Sequence, residues 1–294
     1  MAVIAMTREM GTRGGDVAAG VAERLGLTVI HHELVEHDIA ERAGLSESDV
    51  HRLLEGEASL WERWKLDRTS VSRCTAQEII ELAARGNILI RGWGATHLLK
   101  DIPHVICVRI TAPMVFREQV VMNRLGFVDA MRARREIERS DAAHNGTMQQ
   151  LFGIDHWSEA ENYALVLNTA RVPVAACVAH IAELAEEEAF CETELSRSAL
   201  IDQLILARAR QAMDQRFGSK SLQNGFEVNV CNGKVLLSGG STDEKMIVDA
   251  IRLLQGVKGV TGVESKVAYV AFVPHAATQD QSISRAAPQG QGPT

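Results

Sequence analysis

The sequence predicts an α/β protein, a parallel sheet with helices on both faces, followed by a small α+β unit of order αββαβ. Three observations carry that prediction. Five short, β-rich apolar runs (2–6, 28–30, 87–91, 104–110 and 164–168) alternate with segments of helical period. Alternating strand and helix is the pattern of a parallel sheet, and the runs are apolar almost without a break, as strands buried on both faces must be. After a cluster of charges at 183–194 the pattern changes to helix, two strands, helix and strand. With 294 residues, 46% hydrophobic and 23% charged, the chain has the length for two such units. Aromatic residues are only 4%, so the cores are aliphatic.

In order, the run at 2–6 leads through a Gly-rich segment into a helix at 16–25, and 28–30 is the second strand. A helix at 72–85 leads to the strand at 87–91, and the strand at 104–110 is followed by a helix at 113–125. The strand at 164–168 and a helix at 172–188 complete the first unit, residues 1–190. The second unit, 196–273, has an amphipathic helix at 196–216 and strands at 226–231 and 235–237. Asn232-Gly233 joins these strands and is a strong hairpin signal. A helix at 243–254 and a strand at 260–273 follow, and 274–294, rich in Gln, Ser, Gly, Pro and Ala, reads as a disordered tail.

Lys and Arg number 31 against 38 Asp and Glu, a net charge of −7 that asks for neither nucleic acid nor an anionic membrane. Only Lys65 and Lys100 are lysines in the first 190 residues, so the cations there are arginines, the residue that grips phosphate with a two-pronged fork. The five cysteines are scattered with no CxxC, which reads as reduced thiols rather than a disulfide framework or a zinc site. Those cysteines and the nine methionines read as core residues. The first residues carry too short an apolar run for a signal peptide, and no stretch is apolar enough to span a bilayer. The chain reads as cytoplasmic.

The segment Thr7-Arg8-Glu9-Met10-Gly11-Thr12-Arg13-Gly14-Gly15-Asp16 lies between a strand and a helix. Such a turn aims backbone N–H groups and a helix N-terminus at one spot, which suits a phosphate; an ordinary tight turn explains it equally. It is not a Walker A loop, because Gly14 stands at the Lys position and Asp16 at the hydroxyl position. Further along come Ala22-Glu23-Arg24-Leu25-Gly26, Ile90-Arg91-Gly92-Trp93-Gly94-Ala95, Asp101-Ile102-Pro103-His104-Val105, and Trp157, Tyr163 and Asn168-Thr169. In order and spacing, residues 1 to about 188 resemble the cytidylate kinase-like family, a branch of the P-loop nucleoside monophosphate kinases that itself lacks the Walker Lys. The resemblance implies a P-loop kinase-like fold, ATP and magnesium as cofactors, and a CMP-type acceptor.

By that resemblance Arg8, Gly11, Thr12, Arg13, Gly14, Gly15 and Asp16 hold donor phosphates, and His32, Arg91 and Asp141 contact the acceptor. Arg117 and Arg124, on the helix after the fourth strand, and Arg135 and Arg139 of the lid neutralise the transferring group. Arg132, Arg135 and Arg139 fall on one helical face, and a solvated face interleaved with Glu136 and Glu138 explains them equally. The chain departs from the family at Arg13 (Gly), His32 (Asp), Trp93 (Arg) and Asp141-Ala142-Ala143-His144-Asn145, where the family has Asp-Lys-x-Arg-Ala. His31-His32-Glu33 through Glu36 is HExxE rather than HExxH, and no resident metal site is expected. Leu237-Ser238-Gly239-Gly240-Ser241 reads as a turn.

The second unit resembles a BON domain through Glu227-Val228-Asn229-Val230-Cys231-Asn232-Gly233-Lys234-Val235-Leu236-Leu237-Ser238-Gly239 and Gly256-Val257-Lys258-Gly259-Val260. That resemblance implies a contact module whose partner is an anionic lipid, a small ligand or a protein. Two functions stay open: a nucleotide-binding kinase acting on a CMP-type acceptor, and an inactive kinase fold that senses a nucleotide, or serves as a scaffold, through its BON-like unit. A structural module with Arg13 filling the anion site is a third reading, and a homo-oligomer is compatible with all of them.

Overall fold

The computed structural model describes residues 2–30, 32–54, 68–92, 94–218 and 225–269. Five parallel strands, β1 (Val3–Arg8), β2 (Thr28–Ile30), β3 (Ile88–Arg91), β4 (Val105–Thr111) and β5 (Leu165–Asn168), form one sheet in the order β2-β3-β1-β4-β5. A second sheet of β6 (Phe226–Cys231), β7 (Lys234–Ser241) and β8 (Gly262–Tyr269) has β7 in the middle, antiparallel to β6 and parallel to β8. Among the described residues the helices are α1 (Gly14–Leu25), α2 (His32–Ala43), α3 (Glu47–Leu54), α4 (Arg68–Arg85), α5 (Ala95–Leu99), α6 (Met114–Leu125), α7 (Ala130–Phe152), α8 (Val174–Glu186), α9 (Glu194–Phe217) and α10 (Glu244–Gln255). None is long and apolar enough to cross a membrane.

The apolar runs become the five strands, with ends displaced by one or two residues. In β1, Ile4 pairs with Leu89 of β3 and with Ile106 of β4. Val3 and Ala5 enter one core, Ile4 and Met6 the other, and all four are at most 1% exposed. A central strand with both faces buried leaves no position for a polar residue, which is why the run is continuous. On one face, Val17, Ala18 and Val21 of α1 join Cys177 and Ile181 of α8. These helices pass so closely that a Cβ on Gly20 would stand 2.7 Å from Val178 Cγ2. The other face carries α2, α4, α5 and the end of α7, through Ile39, Val71, Ile79, Leu99 and Leu151. α6 and α7 make a separate arm held by Val121, Ala133 and Ile137.

The second unit shows the expected order of helix, hairpin, helix and strand. Asn232 and Gly233 adopt φ 50° and 75°, the left-handed pair a two-residue hairpin requires. Both of their amides donate to Asp202 of α9, at 2.7 and 2.8 Å. Three sequence expectations are corrected. The segment 237–241 is not a turn but the end of β7, where Gly239 pairs with Phe226 and Val267. Its glycine answers a crossing of backbones, since a Cβ there (φ +114°) would stand 1.5 Å from the Gly225 carbonyl oxygen. α9 is more than a one-faced amphipathic helix. Leu200, Leu204 and Ala207 enter the core of the first sheet, whereas Ile205, Ala209 and Met213 enter that of the second. Finally, Cys74, Cys107 and Cys177 are buried, but Cys191 and Cys231 are exposed, as is Met131 at 57%. Trp93, the tail at 274–294 and the end of the last expected strand, 270–273, lie outside the described residues.

Between α4 and α9, Glu81 accepts from Arg208 at 2.8 Å, from Arg42 of α2 at 2.8 Å and from Gln77 at 3.1 Å. Arg73 pairs with Asp214 beside them. Burial works against the Glu81 charge, but the hydrogen bonds from Arg42, Arg208 and Gln77 hold the carboxyl at about 2, below its ordinary 4.5. A depressed carboxyl binds its proton more tightly in the unfolded chain, so its contribution is complete above pH 4.5 and is lost as pH falls toward about 2. Glu81→Gln is therefore expected to cost about 2 kcal/mol at neutral pH. In urea titrations, the gap between wild type and variant should close across that acid window.

Candidate functional site

Because the five strands are parallel, their carboxyl ends share one edge, and β1 sits there between β3 and β4, which the chain reaches by crossing over it. Ligands of open α/β sheets bind at that kind of crevice. The chain leaves β1 at Arg8 and enters α1 at Gly14 through a short loop. Gly11 has φ +79°, and a Cβ on it would stand 2.7 Å from the Arg117 carbonyl oxygen. A Cβ on Gly14 would stand 2.8 Å from Arg8 Cβ. Thr12 is buried; its hydroxyl donates to the Glu9 carbonyl at 2.7 Å, and its carbonyl accepts from Thr169 Oγ1 at 2.6 Å. Arg13, at φ 57°, occupies the N-cap of α1 without a side-chain cap bond. Asp16 N–H donates to the Arg13 carbonyl at 3.0 Å, and the amides of Gly14 and Gly15 meet no side-chain acceptor among the described residues, a place that favours an anion.

Ion pairs brace the loop from behind. Glu9 accepts from Arg109 at 2.9 Å and from Thr111 Oγ1 at 2.6 Å. Arg109 also donates to the Ser158 carbonyl at 2.6 Å and lies 5.3 Å from the centre of the Trp157 ring. Trp157 Nε1 donates to Asn145 at 2.6 Å, and Tyr163 donates its hydroxyl proton to the Trp157 carbonyl. His144 meets Trp157 edge-on at 4.4 Å, and burial holds its imidazole below the ordinary range, toward the neutral form. Arg117, 5% exposed, donates to the Met10 carbonyl and to Asp141, both at 2.6 Å. It therefore fastens the loop to α7.

The structure brings Arg8, Gly11, Thr12, Arg13, Gly14, Gly15 and Asp16 together by adjacency, and adds Arg117 and Asp141 through their contact. Arg91 also arrives there, with Nη1 3.7 Å from where a Cβ on Gly15 would stand. Arg13 does not fill the anion position, since its Nε lies 2.9 Å from Asp16 and both side chains are about half exposed. Arg124, Arg135 and Arg139 are exposed on the arm, and Arg135 bonds back to Met131 of its own helix at 3.4 Å. Within the arginine stripe Arg132 stacks 4.3 Å over Phe127, and beside the stripe Arg134 pairs with Glu118 at 2.5 Å. His32 opens α2, beyond the edge strand β2. Sequence reasoning did not assign site roles to Glu9, Arg109, Thr111 or Trp157. The available signal was Arg109, a charge inside an otherwise apolar strand.

The profile of the cytidylate kinase-like family matches residues 3–171, more than half of the chain. Among solved structures, an uncharacterized protein from Eubacterium ventriosum ATCC 27560 is 20% identical, over 64% of this chain and 100% of that one, with a TM-score of 0.49. Shikimate kinase from Acinetobacter baumannii, in complex with shikimate, is 15% identical over 63% of this chain and 92% of its own, with a TM-score of 0.36. A gluconokinase from Sinorhizobium meliloti 1021 is 17% identical over 63% and 94%, with a TM-score of 0.38. No curated protein matches the chain significantly.

Proposed function

Since the chain belongs to the cytidylate kinase-like family, we propose that its Gly-rich loop binds the phosphates of ATP and that the protein transfers the terminal phosphoryl group to a CMP-type nucleoside monophosphate. The observation that carries this reading is the open start of α1, uncapped by any side chain and backed by glycines that admit no Cβ. Those amides would hold the donor phosphates, with Arg8 and Arg91 as the nearby positive charges. Arg117 keeps the loop and Asp141 in register. Arg124, Arg135 and Arg139 would neutralise the transferring group when the arm closes, and His32 and Asp141 would contact the acceptor. In the transfer, the bond from the terminal phosphorus to ADP breaks and one to an acceptor phosphate oxygen forms.

The donor set fits phosphate better than a resident metal. Asp16 is engaged by Arg13, Asp141 by Arg117 and Glu9 by Arg109. Magnesium would therefore arrive as the counter-ion of the nucleotide phosphates, the usual habit of that ion. The same pairs favour a second reading, a nucleotide sensor without turnover, because Arg117 and Arg109 are spent on internal bonds. In that reading residues 1–190 bind the nucleotide and 196–273, a BON-like domain, contacts an anionic lipid or a protein, with 274–294 as tail.

Incubating the protein with ATP, magnesium and each nucleoside monophosphate, then separating the products, decides between the two. A diphosphate formed by wild type but not by Arg135→Ala/Arg139→Ala establishes the kinase and names the acceptor. Equal traces from both leave the sensor.

A further inference from the structure

We propose that a cleft between α4, α9 and α10, apart from the Gly-rich loop, is a second anion site that takes a small phosphorylated ligand. The cleft has a volume of about 650 Å³, within the usual range for small-molecule sites. Arg42, Arg208, Arg252 and Lys258 line it together with Gln77 and Gln211, and among the described residues no acidic side chain does. Glu78 and Glu81 stand behind Arg42 and Arg208, and Asp249 beside Arg252, outside the lining itself.

The cations fall into two kinds. Arg42 and Arg208 are fixed from behind. Arg42 Nη2 lies 3.0 Å from Glu78 and 2.8 Å from Glu81, and Arg208 meets Glu81 through Nε at 3.1 Å and Nη2 at 2.8 Å. Arg208 Nη1 also donates to the Lys258 carbonyl at 3.4 Å, so both forks are held in place before any ligand arrives, although part of their donor capacity is already used. Arg252 and Lys258 are held more loosely. Arg252 is 77% exposed with Asp249 no closer than 3.9 Å, and Lys258 is exposed and makes no ion pair among the described residues. Gln77 helps hold the Glu81 carboxylate that fixes both forks. It is 8% exposed, donates through Nε2 to Glu81 at 3.1 Å, and its Oε1 is buried with no partner.

This pattern matches a ligand with a multiply charged phosphate. Paired arginine forks suit phosphate oxygens. Among the described residues the lining contains no aromatic ring to stack a base, so charge rather than a nucleobase governs recognition. Leu253 and Val257 give one apolar wall. A ligand bridging Arg252 and Lys258 to Arg42 and Arg208 would tie α10 to α2, α4 and α9, and so hold the second sheet against the first.

Calorimetric titration of the full chain with inorganic pyrophosphate at low salt tests the proposal. The variants are Arg252→Glu/Lys258→Glu, both exposed positions, and Gly14→Val in the loop, with thermal midpoints confirming that each is folded. The proposal expects a binding event in wild type and in Gly14→Val that is weakened at least about tenfold in Arg252→Glu/Lys258→Glu. Pyrophosphate binding that Gly14→Val alone removes, unchanged binding in the charge-reversed variant, or no binding at all would each overturn it.

Discussion

Arg117→Met is expected to lower phosphoryl transfer by about 100-fold and stability by about 3 kcal/mol. Arg117 is 5% exposed and holds the Met10 carbonyl and the Asp141 carboxylate at once, each at 2.6 Å. Methionine fills much of the same volume but donates nothing. The substitution leaves a loop carbonyl without its donor and a carboxylate without its cation, and the second loss is the costlier. The loop then no longer shares a fixed geometry with α7, and a displacement of the phosphate cradle by a fraction of an ångström is enough to lose catalysis. Arg117→Lys should recover part of the stability, because one charge remains, and little of the activity, because the two bonds need a fork. Urea denaturation and the diphosphate assay read the two effects separately. An Arg117→Met protein as stable as wild type would contradict the bracing role.

Gly11→Ala is expected to weaken nucleotide binding at least about 30-fold and to cost about 2 kcal/mol. Two penalties combine there. The residue has φ +79°, which alanine adopts only under strain, and its Cβ would stand 2.7 Å from the Arg117 carbonyl oxygen and 3.0 Å from its Cα. Both neighbours are backbone atoms of α6, so no side chain can swing aside. The loop or the helix must shift, and either movement opens the space between the loop and Arg117. Gly126→Ala gives a useful comparison, because Gly126 has φ +68° but meets nothing within 4 Å. It should show the strain alone and leave nucleotide affinity unchanged.

Much of the fold was legible because the three central strands of the first sheet, β3, β1 and β4, are buried on both faces and write themselves as nearly unbroken apolar runs. Asn232-Gly233 was legible because few residues accept two consecutive left-handed conformations. The segment 237–241 was misread because its glycines serve a contact with Gly225, which no local pattern announces. α9 hid its double role for a different reason. Leu200 and Leu204 on one side and Ile205, Ala209 and Met213 on the other leave it apolar over more than one stripe, yet periodicity alone does not say which partner each stripe meets. The Gly-rich loop was legible from its spacing. Its bracing was not, because Glu9 and Arg109 are 100 positions apart and only folding brings them within 2.9 Å. Nor does charge pattern separate an arginine that ends buried, such as Arg117, from exposed ones such as Arg124 and Arg135.

The most direct test of the central claim, that the uncapped start of α1 is a nucleotide phosphate site, is an amide-resolved titration of the full chain with ADP and magnesium. The account predicts that the N–H resonances of Gly14 and Gly15 move first and saturate together, with slowed hydrogen exchange at the same amides. If those resonances stay fixed at millimolar ADP, the loop is an ordinary strand-to-helix turn and the claim is wrong.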